Sequence, residues 1–150
     1  MLLVSAYAVL FLISFVAGTC LPFLPASSEI SMAAFLASGK GAAWAVLLIA
    51  VAGNVAGAGL NYFVGRGIAH VAANRRFVSA GATARAQDWF RSYGTWALAM
   101  CWVPAFGDAI TIVAGALRTD PRTFLALVTG GKLFGHSLVA LGVVSLAGSV

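Results

Sequence analysis

The feature that most constrains this chain is an apolar run, residues 92–117, whose only charged side chain is Asp108. A proline-containing break at residues 104–108 interrupts it, and a break of the same form lies earlier, at residues 25–29, ending in Glu29. A carboxylate at mid-bilayer depth costs about 2.5–3.5 kcal/mol on insertion scales, so it indicates function by default. Glu29 and Asp108 are therefore the first candidate functional residues.

The composition predicts an integral membrane protein with one domain, residues 1–150. Hydrophobic residues make up 61% of the chain and charged residues 9%, whereas a soluble domain has about 25% charged residues. Cys20 and Cys101 lie in apolar surroundings without Cys-x-x-Cys spacing, so neither a zinc site nor a disulfide framework is indicated. The sequence contains no metalloprotease, phosphate-loop or nucleophile-elbow motif. We therefore expect no enzyme activity, catalytic residues, metal or cofactor.

Hydrophobic patterning divides the chain into six segments. Residues 1–20 are expected to form an N-terminal helix, and residues 42–65 and 122–147 are expected to form spanning helices, since about 20 helical residues cross a bilayer core. Residues 21–38 and 92–117 carry prolines and an acid, which favour re-entrant hairpins over straight spans. Residues 66–91 form a basic connection that is cytoplasmic by the positive-inside rule. The net charge of +5 thus concerns topology and not nucleic acid.

The two halves of the chain repeat the same order of features. Pro25 aligns with Pro104 and Glu29 with Asp108, and a Gly-polar-x-x-Gly pattern follows each break. With the basic connection inside, the two halves are inverted, as in many secondary transporters. The predicted fold is an all-α polytopic membrane protein, an inverted repeat of two re-entrant helical hairpins that are each followed by a spanning helix. The rival interpretation is five ordinary spans with parallel repeats.

The glycine-rich helices supply the remaining candidates. Small residues four apart allow close helix packing, which is the role expected of Gly53, Gly57, Gly131 and Gly135. Asn54 and Lys132 occupy matching places in the two helices, and His136 lies one turn beyond Lys132 on the same face. Lys132 is a counter-ion for an acid, a contact for an anionic substrate, or a snorkelling side chain without a role.

Two interpretations of the acids remain open. They bind a proton or a cation, or they cap the half-helices at the loop tips, where free N–H groups need acceptors. The tips are expected at Pro25, Ser27, Ser28, Pro104 and Gly107. The proton or substrate site is predicted from Glu29, Asp108, Asn54, Lys132 and His136, with Arg66 and Arg91 as anion contacts beside the membrane segments.

The order of these motifs resembles the YqaA-like branch of the DedA family, also called SNARE-associated or VTT-domain membrane proteins. The resemblance covers about residues 15–136. The motifs that carry it are Leu21-Pro22, Ser27-Ser28-Glu29, Gly53-Asn54-x-x-Gly57, Tyr62-x-x-Gly65-Arg66, Trp89-Phe90-x-x-Tyr93-Gly94, Trp102-Val103-Pro104-x-x-Gly107-Asp108, Ala114-Gly115 and Gly131-Lys132.

The resemblance implies a bacterial inner-membrane protein with two opposed re-entrant loops that flips lipid carriers such as undecaprenyl phosphate, or phospholipids. It also implies importance for an acid in the first loop, which Glu29 matches, and for arginines in the second. At about those arginine positions this chain has Cys101 and Gly107, with Asp108 nearby. This departure favours a proton or a cation over a phosphate at the second loop.

These observations together predict proton-coupled translocation of a lipid-linked or amphipathic anion. The expected partners are membrane lipid and protons, with a homodimer as the expected assembly. The alternatives are a small-ion/proton antiporter and a membrane scaffold or assembly factor without a transport cycle.

Overall fold

The computed structural model describes residues 2–19, 28–39, 41–71, 88, 90–103 and 106–147, which are mostly helical with short turns at the helix ends, and none of these residues forms a strand. The helices are α1 Leu2–Gly18, α2 Ser28–Ala37, α3 Ala43–Val71, a 3-10 helix Gly94–Met100, α4 Phe106–Ala116 and α5 Pro121–Ala147. Two stretches, Ala43–Gly67 in α3 and Pro121–Ser145 in α5, are long and apolar enough to cross a membrane.

The helix bounds differ from the predicted segments mainly at the end of α3. The helix was expected to end at residue 65 but continues to Val71, so residues 66–71 do not belong to the basic loop. Neither proline nor a capping turn interrupts this stretch, and the Arg66 side chain bonds back to the Tyr62 hydroxyl one turn earlier, 3.3 Å away. The rest of the predicted loop lies largely outside the described residues.

Each predicted hairpin contains a short helix that follows the proline-containing break. The first is α2, with Glu29 in its first turn, and the second is α4, with Asp108 in its first turn. Ser28 and Gly107 lie in the first turns of these helices, and their expected place at loop tips stays a prediction. Pro25, Ser27 and Pro104 lie outside the described residues. The re-entrant course of the two segments and their inverted symmetry remain predictions.

The turn between α4 and α5 has a backbone cap on one side and a side-chain cap on the other. The N–H of Thr119 bonds to the carbonyl of Ala114 and that of Arg118 to Gly115, both at 3.0 Å, with Arg118 at φ 55°. This is a Schellman motif, which satisfies the last carbonyls of a helix. Asp120 then caps α5 by accepting from the Thr123 N–H at 3.0 Å, and Pro121 takes the first helical position, as its fixed φ favours.

The helices divide into two compact units, which share α3 and α5. The first unit comprises residues 1–57 and 132–150. It holds α1, α2, the first half of α3 and the second half of α5. Its apolar core consists of Leu10, Met32, Val46 and Ala50, with Tyr7 stacked on Phe35 beside it at a ring distance of 5.4 Å.

The second unit comprises residues 58–131. It holds the second half of α3, the 3-10 helix, α4 and the start of α5. Glycines permit close backbone contacts within it, because a Cβ on Gly65 would overlap the carbonyl oxygen of Ile112 and one on Gly115 would overlap that of Tyr62. This tight approach of α3 and α4 explains why small residues occupy both positions.

Candidate functional site

A chain of hydrogen bonds links three helices inside the first unit. Asn54 Nδ2 of α3 donates to Ser28 Oγ of α2 at 2.7 Å, and Ser28 Oγ lies 3.0 Å from His136 Nε2 of α5. His136 Nδ1 lies 2.9 Å from the backbone carbonyl oxygen of Lys132. Ser28, Asn54 and His136 are at most 2% exposed. The fold therefore builds a buried polar path through apolar helices.

The acceptors in this chain fix the direction of each bond. The carbonyl of Lys132 can only accept, so Nδ1 of His136 carries a proton. In a neutral imidazole Nε2 is then an acceptor, and the Ser28 hydroxyl donates to it. Ser28 in turn accepts from Asn54. Every bond runs the same way, from Asn54 through Ser28 and His136 to Lys132.

Two opposite charges act on this imidazole. Glu29 follows Ser28 at the start of α2 and is half-buried, while Lys132 on α5 is 6% exposed. Both side chains interact electrostatically with His136. Of the predicted site, Glu29, Asn54, Lys132 and His136 thus belong to one unit, and their charges and hydrogen bonds meet at the imidazole.

Two buried polar atoms near this chain lack hydrogen-bond partners within the part of the protein that the structure describes, namely Ser14 Oγ and Asn54 Oδ1. Leaving such an atom unpaired costs about 1–3 kcal/mol. An unpaired buried polar group in a native fold therefore needs an explanation, and a functional role is one such explanation.

Close packing of α1 on α3 surrounds Asn54. A Cβ on Gly18 or on Gly57 would overlap backbone atoms, the carbonyl oxygen of Asn54 in the first case and that of Phe15 in the second. A Cβ on Gly53 would lie 2.9 Å from Ser14 Cβ. These glycines allow the backbones of the two helices to approach closely beside the hydrogen-bonded residues.

The second unit contains a related arrangement around Asp108. Thr111 Oγ1 donates to the Asp108 backbone carbonyl at 2.7 Å and accepts from Asn61 Nδ2 at 3.2 Å. Asn61 and Thr111 are buried, and Asp108 is half-buried. In each unit, an asparagine of α3 therefore donates to a hydroxyl on the short helix that carries the acid.

The remaining predicted residues lie in the second unit, except Gly135 near the middle of α5. Arg66 and Arg91 are exposed. Gly107 packs so closely that a Cβ would overlap the carbonyl oxygen of Cys101, and a Cβ on Gly131 would lie 2.8 Å from that of Ala99. Gly135 is buried. No cluster of three or more metal-ligating His, Cys, Asp or Glu side chains occurs among the described residues.

Sequence reasoning missed Ser14, Asn61 and Thr111. Each is a small polar residue within an apolar helix, a pattern that surface and packing residues share. For Ser14, the signal in the sequence was its spacing from Gly18, which makes a small-xxx-small pair on α1. For Asn61 it was the position two helical turns beyond Asn54 on the same helix.

The described residues are mostly helical without strands, and two of the helices are long and apolar enough to cross a membrane, which is consistent with a membrane protein. A family model for the VTT domain matches residues 24–146. The chain is 30% identical over 139 residues to "Inner membrane protein YqaA" of Escherichia coli (strain K12), covering 90% of this chain and 89% of that protein. The same identity and coverage hold for the protein of that name in Shigella flexneri. The chain therefore belongs to the VTT-domain (DedA) family, as the resemblance predicted, and lies in the bacterial inner membrane.

A further relative matches a shorter part of the chain. "Undecaprenyl phosphate transporter A" of Staphylococcus aureus (strain NCTC 8325 / PS 47) is 38% identical over 60 residues, which is 39% of this chain and 30% of that protein. No solved structure matches the chain.

Proposed function

We propose that this protein is a proton-coupled transporter that flips a lipid-linked or amphipathic anion, such as undecaprenyl phosphate or a phospholipid. The observation that carries the proposal is the buried chain from Asn54 through Ser28 to His136, with Glu29 and Lys132 acting on the imidazole. A titratable group inside a membrane segment supplies a proton site, and Lys132 supplies positive charge for an anion.

The family and one relative's name support the choice of substrate. The partial match to an undecaprenyl phosphate transporter connects the chain with a phosphate carried on a long lipid. Glu29 serves as the acid of the first unit, and Asp108 takes the equivalent part in the second, where its helix also bonds to an asparagine of α3.

Flipping in proteoliposomes tests the proposal. A fluorescent phospholipid or polyprenyl phosphate is placed in both leaflets, a pH gradient is applied, and the outer leaflet is quenched. Glu29→Gln and Asp108→Asn are each expected to slow proton-stimulated flipping about tenfold or more, because both lose the titratable group. Asp120→Asn is the matched control, since Asp120 caps α5 outside the spans. Wild-type rates in both acid variants with folded protein would contradict the proposal.

A second candidate is a membrane scaffold in which the acids only cap helices. It is favoured by the position of Glu29 and Asp108 in the first turns of α2 and α4, where negative charge stabilises a helix. In that case Glu29→Gln lowers the thermal midpoint while the wild type shows no protein-dependent flipping. A small-ion/proton antiporter would use the same acids, and it is distinguished by cation flux that persists without a flippable lipid.

A further inference from the structure

The Asn54 amide has one bonded end and one end without a partner. Its Nδ2 donates to Ser28, while its Oδ1 has no hydrogen-bond partner among the described residues, although the side chain is only 2% exposed. The two ends of an asparagine amide have nearly the same shape and opposite hydrogen-bonding character. Turning the amide about its last bond therefore exchanges a donor for an acceptor without moving the backbone.

Protonation of His136 reverses the direction of the hydrogen bonds from the imidazole through Ser28 to Asn54. One proton added at Nε2 makes the imidazolium a donor at both nitrogens, and Nδ1 keeps its bond to the Lys132 carbonyl. The Ser28 oxygen must then accept from Nε2. The serine oxygen has two lone pairs and can go on accepting from Asn54 Nδ2, but the unpaired Asn54 Oδ1 gives the displaced hydroxyl proton an acceptor once the amide turns. The amide turns, and Nδ2 takes the place that Oδ1 held.

We propose that Ser28 couples the protonation of His136 to the polarity of the unpaired end of Asn54, so that the cluster binds a proton and an anionic headgroup together. With a neutral imidazole, this end presents a carbonyl oxygen, which repels an anion. With an imidazolium, it presents an N–H donor, which binds a phosphate-type oxygen. The inference rests on the proposed function. It adds the path by which protonation of the imidazole is coupled to anion binding, and Ser28 is a positioning residue in this path.

The charged groups facing the imidazole are consistent with this coupling. Burial of the ring opposes the imidazolium most strongly, Glu29 on α2 favours it, and the Lys132 charge on α5 opposes it. An anion arriving near Lys132 offsets that opposition, so binding of the anion and of the proton reinforce each other. The described parts of α1 and of α3 in this unit bring no charged side chain, and the one phenol, Tyr7, stacks on Phe35.

Nitrogen NMR of the imidazole tests the hydrogen-bond chain directly. The protein has two histidines, so His70→Gln leaves His136 as the single imidazole signal in protein reconstituted in liposomes. We expect the neutral ring to carry its proton on Nδ1, with Nε2 accepting a hydrogen bond. The Asn54 side-chain amide, assigned by its loss in Asn54→Asp, is expected to shift with the same midpoint as His136.

The Ser28 variants decide whether the serine provides the link. In Ser28→Ala the Asn54 amide signal is expected to stop following the His136 titration, and Ser28→Thr, which keeps the hydroxyl, is expected to restore it. Ser31→Ala, one turn along α2, is the control and is expected to behave as wild type. A neutral ring protonated on Nε2, or an Asn54 signal that still follows His136 in Ser28→Ala, would overturn the proposal.

Anion affinity at two pH values gives the functional readout. Farnesyl phosphate and inorganic phosphate are titrated at about pH 5 and about pH 8, on either side of the ordinary histidine range. For each protein, the affinity at the lower pH is divided by the affinity at the higher pH. This ratio is expected to be at least about fivefold larger in wild type than in Ser28→Ala. Titration of the phosphate itself affects both proteins equally and cancels in this comparison.

The two probes separate the outcomes. Binding of farnesyl phosphate alone identifies a lipid headgroup, and equal binding of both probes identifies free phosphate; either supports the coupling when the pH effect depends on Ser28. An equal pH effect in wild type and Ser28→Ala overturns it. If wild type binds neither probe, the proposed substrate is wrong, and the Asn54 and His136 titrations alone decide whether Ser28 links the two groups.

Discussion

Ser28 Oγ lies 3.0 Å from His136 Nε2, although the two residues are 108 positions apart in the sequence. Both side chains are almost fully buried, and water is therefore a poor substitute for either partner. The bond ties the start of the short helix α2 to the second half of α5 within one unit. Its strength is the first quantity to measure.

A double-mutant cycle measures this bond. Ser28→Ala and His136→Phe are each expected to lower the free energy of unfolding by about 1–3 kcal/mol, because each leaves a buried group unpaired. The double variant should lose less than the sum, with a coupling energy of about 0.5–3 kcal/mol, measured by denaturant unfolding in detergent micelles.

A second cycle provides the control. Ser38 is exposed, and its hydroxyl bonds only locally to the Phe35 carbonyl at 2.6 Å. The effects of Ser38→Ala and His136→Phe are expected to add within about 0.5 kcal/mol. Additivity of the same quality between Ser28 and His136 would mean that their hydrogen bond contributes nothing to stability.

Gly57→Ala is expected to destabilise the protein by about 1–3 kcal/mol, because the new methyl group would overlap the backbone of Phe15 and Gly18. Gly59→Ala in the same helix is the matched control, since nothing lies within 4 Å of its Cβ position. The control is expected to be neutral or to stabilise by up to about 1 kcal/mol. Equal effects of the two substitutions would contradict the packing argument, because both raise the helix propensity alike and only the Gly57 methyl group would overlap another helix.

Several features were predictable from local sequence because they depend on local chemistry. Prolines near residues 25 and 104 interrupt the apolar runs, and the short helices α2 and α4 begin just after them. Pro121 marked the start of α5. The family followed from motif order, and the match to the VTT domain confirmed it.

Other features were not predictable because they depend on tertiary packing. His136 alone on an apolar helix gives no sign that Ser28 is its partner, and Thr111 gives none that it accepts from Asn61. The predicted end of α3 was too early, because an arginine such as Arg66 after an apolar run is typical of the start of a polar loop. In the structure its side chain bonds along the helix to Tyr62.

Tyr62→Phe is expected to lower the free energy of unfolding by about 1–2 kcal/mol. The buried Tyr62 hydroxyl donates to the backbone carbonyl of Thr119, and the phenylalanine ring would leave that carbonyl without this donor. The comparison is Arg66→Ala, whose exposed side chain makes a longer bond of 3.3 Å to the same hydroxyl. That change is expected to stay within about 0.5 kcal/mol. A larger loss for Arg66→Ala than for Tyr62→Phe would contradict the assigned importance of the Thr119 contact.

Asp120 gives the protein a pH-dependent contribution to stability. The Thr123 backbone N–H, which bonds to the carboxylate, is the main cause that holds the pKa of Asp120 below its ordinary value of 3.8. Because the folded pKa is lower than the unfolded one, the contribution is present above the unfolded value and disappears as the pH falls through the folded value. The thermal midpoint of wild type is therefore expected to fall more steeply below about pH 4 than that of Asp120→Asn, which keeps a capping oxygen but does not titrate. All other acids are the same in both proteins, so the difference between the two curves isolates Asp120. Parallel curves across this range would show that the carboxylate charge does not stabilise the start of α5.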